Sequence, residues 1–260
     1  MIFNFLKLRQ KITHNTPKKF KDYLISYMFL NKRFPNYKLI CEKLKNKKVI
    51  EIGGPSGHFY CQIPLYQKIK SLDIVNYSTQ TVWEGSITKK KTNYFSNKYA
   101  NQIIAEATNL KEIKNNFYDA VISSNCLEHV ANPLKALFEK NRIIDSKGYF
   151  LLILPNKKMT FDHRRPFTTF KHIISDYKNN IGEDDLTHYD EIISLHDYEM
   201  DGLKNKEELI SRAKNNYINR CFHHHVFNYE LIYKMLEYTN FKIISFVELD
   251  HDFIILSQKN

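Results

Sequence analysis

Short apolar runs punctuate the chain: KKVIEIG (47–53), IKSLDIV (69–75), NQIIAEA (101–107), YDAVISS (118–124) and YFLLILP (149–155). Each is short, rich in Ile, Val and Leu, and closed by a turn signal, which predicts strands buried within a sheet. Helical patterns fall between strands, the clearest being LEHVANPLKALFEKNRII (127–144). Strand and helix in alternation predict βαβ units and a parallel sheet. The pattern changes at residue 156. From there to about 228, polar stretches replace the apolar runs: DHRRP, EDDLTHYDE, LHDYEMD and HHH. A helix over 229–240 follows, then FKIISFVEL (241–249) and DFIILSQ (252–258), close enough through Asp250-His251 to pair as a hairpin.

The expected fold class is therefore α/β: a Rossmann-like, seven-stranded, mostly parallel sheet with an antiparallel C-terminal hairpin and a polar insertion after strand five. Residues 1–46 read as a basic, helical lead-in broken by Pro17 and Pro35, and residues 47–258 as one domain with its insertion at 156–228. The length of 260 residues and 43% hydrophobic content suit a single large core. Four scattered cysteines without a C-x-x-C pair argue against a disulfide framework or zinc ribbon and favour a reducing cytoplasm. The N-terminal apolar run is broken by Lys7 and Arg9, so neither a signal peptide nor a membrane span is expected. The net charge of +11 invites anionic partners. Lysine, however, is spread along the chain among abundant Asn, Ile, Tyr and Phe, as a compositional bias would spread it.

The first chemical signal is Glu51-Ile52-Gly53-Gly54-Pro55-Ser56-Gly57, where strand one should turn toward a helix. Glycines there permit a tight turn and close approach of a ligand to the backbone. Asp73 follows 20 positions after Gly53, where a carboxylate at the end of strand two would accept ribose hydroxyls. The loop lacks the G-x-G-x-x-G spacing of a dinucleotide site. Glu51 with Gly53 and Gly57 instead resembles the first motif of class I S-adenosylmethionine-dependent methyltransferases. Glu106-Ala107 stands where that family grips adenine, SSNCLEHVANP (123–133) is similar to its segment after strand four, and KGYFLLILP to its fifth strand. The resemblance implies S-adenosylmethionine as cofactor, held by Glu51, Gly53, Gly54, Gly57, Asp73, Glu106 and Ala107. Pro55 departs from the pattern: it removes a backbone donor from the loop.

Seven of the eleven histidines lie between 163 and 225, in the insertion that should rise over the carboxyl edge of the sheet. TFDHRRP, EDDLTH, LHD and RCFHHHVF together resemble a subgroup of these methyltransferases associated with bacterial surface-polysaccharide and nucleotide-sugar chemistry. That resemblance covers most of residues 47–258 and implies O-methylation of a small, polar, anionic acceptor, phosphorylated or nucleotide-activated. A hydroxyl attacking a sulfonium methyl must lose its proton, and histidine has the pKa to take it. His163 and one of His223, His224 and His225 are the expected bases. Arg164 and Arg165, flanked by Asp162, are candidates to hold an acceptor phosphate in bidentate fashion, and His188, His196 and Asp197 complete the expected acceptor pocket. A divalent metal is the alternative use of these groups, since Asp162, His163, His188, His196, Asp197 and the triplet are N and O ligands. Against it, residues 223 and 225 of a regular strand share one face and 224 the other. The blander readings are a buried salt-bridge knot for Asp162, Arg164 and Arg165, a helix-start role for His129, and surface or capping positions for His14, His58 and His251.

Two other functions compete with this one. A nucleic-acid methyltransferase suits the charge, but SSNCL after strand four lacks the N-P-P-Y of amino methylation and the Pro-Cys of pyrimidine carbon methylation. A binding protein that kept the fold suits Pro55, but not the polar set over the cofactor edge.

Overall fold

The structure, a computed structural model, describes residues 32–260. The lead-in through residue 31, with His14 and Pro17, lies outside the described residues. The helix α1 (Tyr37–Leu44) opens the described chain, with Ile40 and Leu44 packed beneath the sheet.

The apolar runs form strands as expected: β1 (Lys48–Ile52), β2 (Ser71–Asn76), β6 (Lys98–Ile104), β7 (Tyr118–Ser124) and β8 (Ile144–Pro155), all mutually parallel. β1 lies at the centre and is buried on both faces, which explains its continuous apolar character. Ile50 and Ile52 point into one core beneath α3 (Pro133–Ile143) and α8 (Tyr229–Tyr238), while Val49 points into the other with α1. β9 (Phe241–Glu248) and β10 (Asp252–Lys259) form the hairpin, with β10 inserted between β8 and β9. All seven expected strands belong to this sheet. An eighth, β5 (Lys91–Phe95), pairs antiparallel with β6 at the far edge, giving the order β5-β6-β2-β1-β7-β8-β10-β9. A two-stranded ribbon, β3 (Gln80–Thr81) with β4 (Gly85–Ser86), projects after β2 and carries Trp83.

Two local departures shape the site. The loop after β1 enters only a single helical turn, α2 (Gly57–Tyr60), capped by Ser56 Oγ accepting from the His58 N–H, and Pro64 follows soon after. The helix expected over 127–144 is broken: Leu127–His129 form one 3-10 turn, Val130 is extended, and α3 restarts with Pro133 at its first position and Asn132 Oδ1 accepting from the Lys135 N–H. Proline has no N–H and disfavours helical backbone in the residue before it, so the run cannot continue through Asn132-Pro133. The break leaves Glu128 and His129 just past the carboxyl end of β7.

The insertion holds α4 (Phe170–Lys178), α5 (Tyr189–Leu195), α6 (Lys206–Lys214) and α7 (Asn216–Asn219). Its own small core is Ile192, Leu209, Ala213 and Phe222. Residues 221–228 carry no regular secondary structure. Among the described residues no helix is long and apolar enough to cross a membrane.

Candidate active site

The glycine loop is defined by its neighbours. Gly53 has φ +82°, and a Cβ there would lie 2.8 Å from Cys126 Sγ; a Cβ on Gly54 would lie 2.2 Å from the Glu51 carboxyl carbon. Only glycine fits either place. The Gly53 contact also brings the loop after β1 against the segment after β7, two residues before Glu128. Glu51 is fully buried and braces the loop: Oε1 accepts from the Ser56 N–H at 2.8 Å and Oε2 from the Tyr66 hydroxyl at 2.7 Å. Burial raises its pKa to about 8, although those two hydrogen bonds oppose the rise. Gly57 starts α2, one residue past the Ser56 cap.

Asp73 does not stand at the end of strand two. β2 continues to Asn76, and Asp73 is mid-strand opposite Ile50, its carboxylate accepting from Asn101 Nδ2 at 2.6 Å and the Tyr118 hydroxyl at 2.7 Å. The residue at the carboxyl end is Asn76, whose Nδ2 donates to Gly54 O at 3.0 Å. The Asp73 expectation rested on distance along the chain; the register of β2 against β1 moves the position three residues on.

Glu106 follows β6, and Ala107 is buried in the core beside it. Glu106 accepts from Arg220 at 2.8 Å, and Arg220 also meets Glu183 at 2.6 Å. Glu106, Glu183, Asp184, Tyr217 and Arg220 line an open cavity of about 460 Å³.

The histidine triplet is splayed among three environments rather than alternating across a strand, because its segment is irregular and follows Arg220 in a left-handed conformation (φ 55°). The Nδ1 of His223 bonds Asp162 Oδ2 very closely, and its ring stands 4.7 Å from that of His129. His224, wholly buried, donates its backbone N–H to Glu128 O at 2.7 Å and faces Asn216 and Asp185 with its ring. His225 places Nε2 3.1 Å from Ala131 O, on the side of His172 and His188.

Arg165 fixes this arrangement. It is 1% exposed, and its guanidinium donates to Asp162 Oδ1, Glu191 Oε1, His223 O and His224 O. With four of five donors taken inside the protein, Arg165 is not placed to hold an acceptor phosphate; it is the buried salt-bridge knot weighed for this motif. Arg164 and His163 turn outward and share Asp197, at 2.8 and 3.0 Å. His163 therefore stands away from the triplet, paired on the surface instead of poised as a base. His196 is held by Asp201 at 2.9 Å and stacks on Phe161, whose ring in turn meets His223. The expected acceptor group of Asp162, Arg164, Arg165, His188, His196 and Asp197 thus separates into a buried pin, a surface pair and a flanking wall.

What comes together instead is Glu128, His129 and His223, with one ligand-type atom of each within 4.8 Å of the others. Glu128 is 1% exposed, and neither carboxylate oxygen makes a hydrogen bond among the described residues. Burial raises its pKa to about 7, with His223 opposing. Burial and then His223 push His129 well down, and its Nδ1 is held by Phe222 O at 2.8 Å. For His223, burial works against the charge, but Asp162 outweighs it and the pKa is raised. Asp162 itself, despite burial, is held below the usual carboxylate range by His223 and Arg165. Trp83, 46% exposed, lies with its ring 5.0 Å from His129. On sequence Glu128 has no role and His129 either holds a helix start or touches substrate; the one available signal is Pro133, which forbids a continuous helix. His58, expected as a surface or capping residue, is half-buried between Ser124 Oγ (2.8 Å) and Asp252 (3.7 Å).

The comparisons bear on the family and the fold. The family model for the methyltransferase domain matches residues 25–245. An uncharacterized protein of Methanocaldococcus jannaschii, MJ0638, is 29% identical over 174 residues, 66% of this chain; the match spans 62% of that protein's length. The S-adenosylmethionine-dependent methyltransferase of Methanosarcina mazei superposes with a TM-score of 0.51 at 16% identity, over 87% of this chain and 97% of that one. One from Mesorhizobium loti gives 0.51 at 9% identity, over 86% and 96%. The methyltransferase CalH, solved with S-adenosylhomocysteine, gives 0.50 at 14% identity, over 87% of this chain and 55% of its own. With glycine loop, strand order and inserted hairpin all in place, the chain belongs to the methyltransferase-domain family, and its fold is that of the class I S-adenosylmethionine-dependent methyltransferases.

Proposed function

We propose that this protein transfers a methyl group from S-adenosylmethionine to a hydroxyl of a small, polar, sugar-like acceptor, with His223 as the base. The observation that carries the reading is the Asp162–His223 pair beside Glu128, on the segment that Gly53 joins to the cofactor loop. When bound, S-adenosylmethionine supplies an electrophilic methyl on a sulfonium, so the chain's own tasks are positioning and deprotonation. The residues at the strand ends suit that cofactor. Gly53, Gly54 and Gly57 admit it close to the backbone, Glu51 braces them, Asn76 rather than Asp73 offers a polar group for the ribose, and Glu106 with Ala107 flanks the adenine position.

Asp162 holds the Nδ1 proton of His223, which leaves Nε2 as a lone pair facing the acceptor hydroxyl, and its charge stabilises the imidazolium that forms. His129 and Glu128 line the same place, and the exposed face of Trp83 is a platform for the C–H side of a sugar ring. An anionic acceptor, phosphorylated or nucleotide-activated, is supported by the motif resemblance, not by Arg165 or by a net charge whose lysines are spread along the chain. The charged and unpaired polar groups kept buried in the cap, Glu128 among them, disfavour a retired site, and the absence of amino-methylation motifs disfavours nucleic acid.

The test is transfer of labelled methyl from S-adenosylmethionine into a panel of nucleotide sugars and sugar phosphates, run beside bulk RNA. Trp83 is the one tryptophan, so its fluorescence reports acceptor binding directly. Label in the sugar panel with Trp83 quenching supports the reading. Label only in RNA overturns it.

A further inference from the structure

Outside the base site, a second cluster of histidines lies within the insertion. His172 is in the first turn of α4, Asp176 is one turn further along the same face, His188 precedes α5, and His225 reaches in from the irregular segment. One ring nitrogen each of His172, His188 and His225 lies within 4.8 Å of the others. His172 Nε2 and His188 Nε2 are 3.0 Å apart. Asp176 Oδ2 is 3.3 Å from His172 Nε2 and 3.8 Å from His225 Nε2.

Hydrogen bonding within the protein does not satisfy this group. Asp176 is 8% exposed and His225 2%, yet Asp176 Oδ2 and His225 Nδ1 make no hydrogen bond among the described residues. His225 Nε2 lies on Ala131 O, which places its proton there and leaves Nδ1 as a bare lone pair. The two facing Nε2 atoms of His172 and His188 can share only one proton. Buried lone pairs without a donor cost free energy, and one cation would satisfy all of them. The spacing suits it: metal–nitrogen bonds of about 2.0–2.1 Å in a tetrahedral site put ligand atoms roughly 3.3 Å apart. A backbone carbonyl holding the remote nitrogen of a ligating histidine is also the usual way its tautomer is fixed.

We propose that His172, His188 and His225 bind one divalent transition-metal ion of the zinc, iron or cobalt type, with Asp176 as the neighbouring carboxylate beside His172. Imidazoles are donors these ions prefer, whereas magnesium and calcium favour all-oxygen sites. The ion would tie α4, the start of α5 and the triplet into one unit, two residues from His223. It is a separate site from Glu128, His129 and His223, and it does not depend on the methyl-transfer reading.

The experiment uses the full chain, stripped with chelator, reloaded with Zn²⁺ and passed through a desalting column. Metal content by mass spectrometry should be one ion per chain. X-ray absorption of the bound zinc should show three imidazoles, where the Glu128 site would show two. His188→Ala and His172→Ala should each weaken Zn²⁺ binding by at least tenfold in a chelator competition, while His129→Ala leaves it unchanged. No retained metal would overturn the proposal, as would loss of metal in His129→Ala with retention in His188→Ala. If His188→Ala does not fold, the absorption measurement on the wild-type chain still decides.

Discussion

The sharpest test of the base assignment is His223→Asn. The asparagine amide nitrogen reaches the place of Nδ1 and keeps a donor on Asp162, but the side chain ends there and has nothing at Nε2. Asp162 also retains Arg165 at 2.9 Å, so no buried charge is orphaned. The loss in folding stability should stay within about 1–2 kcal/mol, the difference between a charged and a neutral hydrogen bond. Catalysis should suffer more. A positioned general base contributes roughly 10²–10⁴ in rate, which at about 1.4 kcal/mol per decade is about 3–5 kcal/mol of barrier. The assay is labelled methyl transfer at saturating acceptor, with cofactor affinity by calorimetry and unfolding by thermal melt. The expected result is a kcat lower by at least a hundredfold, cofactor affinity within threefold, and a folded protein. The pH profile adds a second readout. Because Asp162 outweighs burial, His223 stays protonated to higher pH than free histidine, so wild-type activity should be lost as pH falls through a value above about 6.5. The same shift acts oppositely on stability: the His223–Asp162 contribution is fully present below the unfolded histidine pKa and fades as pH rises through the folded one. A variant with more than a third of wild-type kcat, or an unchanged acid limb, would refute the reasoning.

Arg165→Lys removes most of a buried four-bond knot and should cost about 3–5 kcal/mol by thermal unfolding, whereas Arg164→Ala, exposed beside Asp197, should change stability by at most about 1 kcal/mol; equal effects would count against the burial argument. Gly53→Ala places a methyl against Cys126 in a left-handed conformation and should lower both the melting temperature and S-adenosylmethionine affinity, with strain of about 1–3 kcal/mol. Asn76→Ala should weaken cofactor binding by about 1 kcal/mol through the lost loop hydrogen bond, while Asp73→Ala should leave affinity nearly intact and reduce stability instead; the reverse order in a calorimetric titration would restore Asp73 to the ribose. Glu51→Gln should flatten the decline of stability from about pH 4.5 to about pH 8 in thermal melts, because the buried carboxyl, raised from 4.5 to about 8, stays protonated in the folded protein over that range while the unfolded one ionises.

The strands, their order of appearance, the terminal hairpin and the glycine loop were legible along the chain. They depend on local periodicity and on residues, such as Gly53, whose backbone freedom is intrinsic. The edge strand β5 was not legible: KTNYF is a half-exposed sequence that becomes a strand only because β6 offers it an edge. Side-chain partnerships were less accessible still. DHRRP presents Asp162, His163, Arg164 and Arg165 as one motif, yet the 3-10 and turn geometry around it sends Asp162 and Arg165 inward and His163 and Arg164 out to Asp197. Glu128 was passed over because a glutamate in a helical run is ordinarily solvated; burial by three distant segments makes it exceptional. The sequence alone therefore determined the family, the glycine loop after β1 and the concentration of histidines after β8, since these rest on local pattern. Tertiary structure decided which histidine meets Asp162, which meets His172 and His188, and which arginine is a pin, because each depends on packing between residues far apart along the chain, His223 with Asp162 61 positions away and Arg165 with His223 O 58 away.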